Sequence, residues 1–150
     1  MLSETACKRT LCLSSYTSFF EMEDQLLEAA GKARRAAYAP YSRFLVGAAV
    51  LANGQIIAGC NVENASYGLT NCAERIAVFK AVSEGFRRIE AIAVVADTEV
   101  PVSPCGACRQ VIAEFCSSDT PVYAANLAGV RKTWTVGALL PAAFKGDHIP

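Results

Sequence analysis

A chain of 150 residues, 53% of them apolar, is long enough to bury one core without disulfide staples. Fourteen Lys and Arg balance fourteen Asp and Glu, so the totals carry no basic excess with which to grip a nucleic-acid backbone, and a small substrate is favoured over a polymer. No apolar run reaches the length that spans a bilayer.

Met1–Glu21 reads as a disordered N-terminal extension ahead of a single domain over 22–150, with Met22 an alternative start. Lys8 and Arg9 before Thr10-Leu11-Cys12-Leu13 imitate a secretion leader, but Ser14 and Ser15 interrupt it and no small-residue cleavage pattern follows. Leu26, Leu27, Ala30, Ala33 and Ala37 recur at helical spacing, predicting a helix over Glu23–Tyr38 stopped by Pro40. Phe44–Leu51 is apolar on both faces and predicts a buried strand. Asn53-Gly54 turns it into a second strand over Gln55–Cys60. Asn61–Asn71 is a polar loop, and Cys72–Ser83 a helix ended by Gly85. Ile89–Ala96 predicts a central strand, Cys105–Cys116 a helix announced by Pro104. Two short strands follow over Pro121–Ala125 and Lys132–Val136, then a last short helix over Val136–Phe144 broken by Pro141. Helices alternating with buried strands give a three-layer α/β/α domain.

Seven cysteines are an odd number for a disulfide framework. With Cys105-x-x-Cys108 present, they point to a reducing, cytoplasmic compartment and a metal. Cys72, Cys105 and Cys108 can give three thiolates to one Zn²⁺ and leave its fourth position open for water, the layout of a catalytic rather than a closed structural centre. Both motifs fall at predicted helix starts, where partial positive charge and unpaired N–H groups favour thiolate. Glu74 lies two residues past the first thiol, close enough to exchange a proton with that water without being a ligand. Three thiolates outweigh the dication by one charge, and Arg75 is placed to offset it by donating to sulfur. Cys-Ala-Glu followed by Pro-Cys-x-x-Cys is the signature of zinc-dependent nucleobase deaminases.

From Ala39 to about Phe144 the chain resembles the small homotetrameric cytidine deaminases. The resemblance is carried by Tyr41-Ser42-Arg43-Phe44-Leu45-Val46-Gly47-Ala48-Ala49, Gly59-Cys60-Asn61-Val62-Glu63-Asn64-Ala65-Ser66-Tyr67, Cys72-Ala73-Glu74-Arg75 and Pro104-Cys105-Gly106-Ala107-Cys108-Arg109-Gln110. It implies a five-stranded mixed sheet, one Zn²⁺ per subunit, and hydrolysis of cytidine and 2′-deoxycytidine to uridine, 2′-deoxyuridine and ammonia in pyrimidine salvage. By the same resemblance Asn61 and Glu63 hold ribose hydroxyls, Phe44 packs on the pyrimidine and Ala73 contacts the substrate. Phe144 and Tyr67 complete sites at subunit interfaces, and the partners are a nucleoside and other copies of the chain, with no polymer and no membrane.

Plainer readings stand beside these. Three cysteines also make structural zinc knots, for which Cys60 is the only plausible fourth thiol, since His148 lies near the C-terminus. Asn61, Glu63 and Asn64 suit a turn, Phe44 a core, Phe144 a hydrophobic cap, and Arg109 and Gln110 a surface. Cys60 and Cys116 suit ordinary packing. The rival functions are a deaminase of a related aminopyrimidine nucleoside such as blasticidin S, and a zinc-stabilised interaction module without turnover.

Overall fold

The computed structural model describes residues 19–146 and Ile149. Met1–Ser18, Cys7, Cys12 and His148 among them or beyond them, lie outside the described residues. The first helix, α1 (Phe19–Arg34), runs through the boundary expected at residue 22 and ends four residues before Tyr38. Its end is tighter than the periodicity suggests. The N–H groups of Arg35, Ala36 and Ala37 bond three residues back, and Tyr38 N–H then leaves the helix for the Asn61 carbonyl at 3.0 Å.

Strands β1 (Val46–Ala52) and β2 (Gln55–Cys60) form the expected hairpin. Asn53 and Gly54 both take positive φ, 48° and 73°, the backbone that a two-residue hairpin turn demands. A 3₁₀ turn over Tyr67–Leu69 interrupts the polar loop, and α2 (Ala73–Ser83) follows with Cys72 as its N-cap. The helix closes with Gly85 N–H on Val82 O and Phe86 N–H on Ala81 O, the glycine at φ 97°. Then come β3 (Ala91–Ala96), α3 (Gly106–Phe115), β4 (Pro121–Asn126) and β5 (Arg131–Thr135). The last helix, α4, covers only Val136–Leu139, because Pro141 cannot extend it and Ala142 turns away at φ 53°.

The five strands lie in the order β2-β1-β3-β4-β5, with β3 and β4 parallel and every other pair antiparallel. Alternate residues of the central strands enter different cores. Val46, Ala48, Val50, Ile92, Val94 and Val122 pack with Ala77, Val78, Ala81 and Ile112 of α2 and α3. Ala49, Leu51, Ala91, Ala93 and Val95 pack with Leu26, Leu27 and Ala30 of α1. A sheet covered on both faces explains why β1 and β3 read as unbroken apolar runs. The mixed sheet and three layers are those expected. At the outer strands, Lys80 Nζ donates to the Ala58 carbonyl of β2 at 2.6 Å, and Arg131 of β5 pairs with Asp24 at 2.6 Å and Glu23 at 3.3 Å.

Two glycines set how closely the helices approach. A Cβ on Gly47 would run into the α1 backbone, 2.5 Å from Arg34 N. One on Gly59 would lie 2.7 Å from Ala77 N of α2. Gly59 therefore fixes the height of the helix whose N-terminus carries Cys72 and Glu74. Gly59→Ala is expected to cost about 2 kcal/mol of stability. The change would register as a lower denaturation midpoint and weaker zinc retention than in the unmodified protein.

Candidate metal and active site

The site lies at one end of the sheet, where β1 begins, β3 ends and the N-termini of α2 and α3 meet. Cys72 and Cys105 are the N-caps of these helices, each with extended backbone (ψ 155° and 167°) and no side-chain capping bond. A thiol is a weak acceptor, so the sulfurs leave the helix N–H groups and turn toward one another. Cys108, in the first turn of α3, is fully buried and completes the group.

The three Sγ atoms lie within 4.8 Å of one another, Cys72 and Cys105 at 3.9 Å. A tetrahedral zinc with bonds of about 2.3 Å requires sulfurs about 3.8 Å apart, which the Cys72–Cys105 pair matches at 3.9 Å. It is the only such group among the described residues, and neither Cys60 nor Glu74 belongs to it. Cys72 and Cys105 also line the cleft, so an ion held by the three sulfurs would have its fourth position available to a molecule there.

The sulfurs share protons unevenly. Cys72 is held down to about 5, chiefly by the thiol proton of Cys108 and further by Arg75. Cys108 is pushed above the ordinary thiol range, chiefly by its bond to Cys72 and then by burial. Thiols shifted apart in this way favour added positive charge, which a divalent ion would supply. Arg75 Nη2 donates to Thr70 O at 2.9 Å and lies 3.9 Å from Cys72 Sγ, while its Nε is buried without a partner.

Glu74 is 5% exposed. Burial pushes its carboxyl above the ordinary carboxylate range, and negative charge at Cys72 adds to the effect. A carboxyl poised this way can both take and return a proton.

Above these groups opens a cleft of about 280 Å³. Phe44, Asn61, Glu63, Cys72, Ala73, Glu74 and Cys105 line it, which brings seven of the expected residues to one place. That volume suits one small molecule. Phe44 precedes β1 instead of opening it, and at 41% exposed it is a wall of the cleft and not core. Asn61 is only 8% exposed, and its amide is largely committed to the chain. Its Oδ1 accepts from Val46 N–H and its Nδ2 donates to Phe44 O, both at 2.8 Å. One N–H and one lone pair are left for a ligand.

Tyr67 stands in an adjoining hollow with Tyr41, Ser42, Glu63 and Thr70, its ring 5.8 Å from that of Tyr41. Phe144 is 60% exposed and does not line the cleft of its own chain; its carbonyl accepts from Gln110 Nε2 at 2.8 Å. Cys116 is buried, its thiol pushed up to about 12 by desolvation, which fits a packing role.

Arg109 is a correction. It is no surface residue: Nε donates to Pro104 O at 2.8 Å, Nη1 to Leu139 O at 2.9 Å and Nη2 to Ser103 Oγ at 2.8 Å. It therefore clamps the loop that delivers Cys105, and its neighbour Ser103 lines the cleft. Ser103 and the donors around Glu63 also escaped the sequence reading. Their types are ordinary for loops, and only the folded contacts reveal them.

The family model described as "Cytidine and deoxycytidylate deaminase zinc-binding region" matches residues 21–124. A cytidine deaminase of Halalkalibacterium halodurans is 62% identical over 125 residues, 83% of this chain and 95% of that protein. One from Sporosarcina psychrophila is 59% identical over 127 residues, 84% of this chain and 93% of that protein. The crystal structure of cytidine deaminase from Burkholderia pseudomallei superimposes with a TM-score of 0.78 at 52% identity, covering 81% of this chain and 98% of that one. Likeness of this extent, in sequence and in fold alike, means that the chain belongs to the cytidine deaminase family.

Proposed function

We propose that this chain hydrolyses cytidine and 2′-deoxycytidine to the corresponding uracil nucleosides and ammonia, with one zinc ion per chain held by Cys72, Cys105 and Cys108. The observation that carries the reading is the three-sulfur cluster, spaced for zinc, beside a buried carboxyl at the foot of a nucleoside-sized cleft. When bound, zinc supplies a Lewis acid that acidifies water at the open position.

The side chains do the rest. Glu74 takes a proton from the attacking water, delivers it to N3 of the cytosine ring as C4 is hydrated, and carries a proton to the amino nitrogen as ammonia departs. Its burial keeps bulk water from competing for that proton. Arg75 offsets the surplus charge of the thiolates. Phe44 supplies an apolar face for the pyrimidine, Ala73 packs against the ring, and Asn61 and Glu63 meet the sugar hydroxyls. A site whose polar groups expect a sugar rejects the free base.

Copies of the chain associate as a cytoplasmic homotetramer in this reading, with Tyr67 and Phe144 closing sites across subunit interfaces. Support comes from the exposure of large apolar side chains on the segments preceding β1 and following β2: Tyr38, Tyr41, Phe44, Val62, Tyr67 and Leu69. Sedimentation equilibrium is expected to give four times the chain mass; a monomer at working concentration would refute the assembly.

Zinc-loaded protein incubated with cytidine should show the ultraviolet change of cytosine becoming uracil, with one ammonia released per nucleoside. Silence in that assay with zinc fully bound would leave the two rivals, a deaminase of a related aminopyrimidine nucleoside and the non-catalytic module. Glu74→Gln should retain one zinc per chain by metal analysis and lose turnover by roughly a thousandfold. Loss of zinc together with turnover would mark Glu74 as a prop of the metal site.

A further inference from the structure

Glu63 is held by more donors than a carboxylate at a cleft mouth requires. Its Oε2 accepts from the backbone N–H groups of Tyr41 at 2.8 Å and Ser42 at 3.2 Å, and its Oε1 accepts from the Ser42 hydroxyl. The same Ser42 Oγ accepts from Phe44 N–H at 3.0 Å. One hydroxyl thus ties the carboxylate to the backbone of the aromatic residue that walls the cleft.

The turn that presents these donors is built for it. Arg43 sits at φ 58°, a left-handed conformation that a residue with a long side chain seldom adopts. Arg43 N–H bonds back to Ala39 O at 3.0 Å, closing the turn on itself, and Glu63 N–H bonds Tyr38 O at 2.8 Å, tying the segment that leads into the turn to the one that carries Glu63. A carboxylate offers about four acceptor positions, and three are filled here. The last belongs to a side chain that lines the cleft.

We propose that Ser42 is a positioning residue that fixes the Glu63 carboxylate in the orientation that accepts from the 3′-hydroxyl of the nucleoside sugar. The inference rests on the reading that Glu63 meets the sugar. The 3′-hydroxyl is assigned because cytidine and 2′-deoxycytidine both carry it there, whereas only one has a 2′-hydroxyl. A long, otherwise free carboxylate is ordered before the substrate arrives, so the ordering is not charged to binding. Ser42 acts on sugar recognition and not on the proton transfers, which belong to Glu74 on another element.

The test compares cytidine with 3′-deoxycytidine in zinc-loaded full-length protein. Ser42→Ala should raise KM for cytidine about tenfold, the loss of one hydrogen bond to a charged group, while kcat changes less than about twofold. With 3′-deoxycytidine the same variant should match the unmodified protein, and Ser42→Thr, which keeps the hydroxyl, should restore the cytidine KM. Equal loss on both nucleosides, or no loss on cytidine, overturns the proposal. Glu63→Ala separates the two ideas. If it raises the cytidine KM while Ser42→Ala does not, the positioning role fails alone; if it leaves that KM unchanged, the sugar reading fails and takes the positioning role with it. Should Ser42→Ala not fold, Ser42→Cys, similar in shape with a weak donor, is expected to give the same split, and failure of both to fold would show that Ser42 serves the turn alone.

Discussion

The convergence of two helix N-termini on one point is the constraint from which the site follows. Cys72 and Cys105 cap α2 and α3 with no side-chain bond to them, so helix N–H groups and positive partial charge face a pocket of sulfur. That arrangement exists only because α2 and α3 lie side by side on the same face of the sheet, in one apolar core. The geometry of the cluster is thus fixed by backbone packing before any ion arrives. The Cys108 thiol and Arg75 hold the Cys72 thiol below its ordinary range, so the cluster favours positive charge.

A second framework holds the opposite wall of the cleft. Asn61 spans the backbone of Phe44 and Val46 with both ends of its amide, and Tyr38, Val62 and Asn71 pair through short bridges around it. Phe44 is therefore held from behind by Asn61 and from the side by Ser42. The aromatic wall sits outside the regular sheet, yet its backbone is tied at each end. Arg109 does the same for the loop before α3, using three bonds to join Ser103, Pro104 and Leu139.

Most of the elements could be read from the chain because their signals are local. Asn53-Gly54 specified the hairpin, Gly85 the end of α2, and two continuous apolar runs the strands buried on both faces. The metal cluster was legible for a different reason: three residues of one rare type at fixed spacing carry their chemistry with them. What stayed hidden depends on contacts between distant segments. α1 stops at Arg34 because Tyr38 is drawn to Asn61, a partner that helical periodicity cannot reveal. Arg109 resembled a surface cation until its three carbonyl and hydroxyl acceptors came together around it. Asn61 could be read as a turn former or a sugar ligand, and its amide turned out to be mostly spent on the main chain.

The cations at the two outermost strands bear on edge-to-edge pairing of the sheet. With a formal net charge of zero, the chain has little long-range repulsion to keep neighbours apart. An open five-stranded sheet would ordinarily invite edge-to-edge growth. Lys80 places an ammonium on a β2 carbonyl, and Arg131 and Lys132 charge the rim of β5, so a strand arriving at either border must first desolvate a cation. Open-ended sheet extension is thereby disfavoured at both borders.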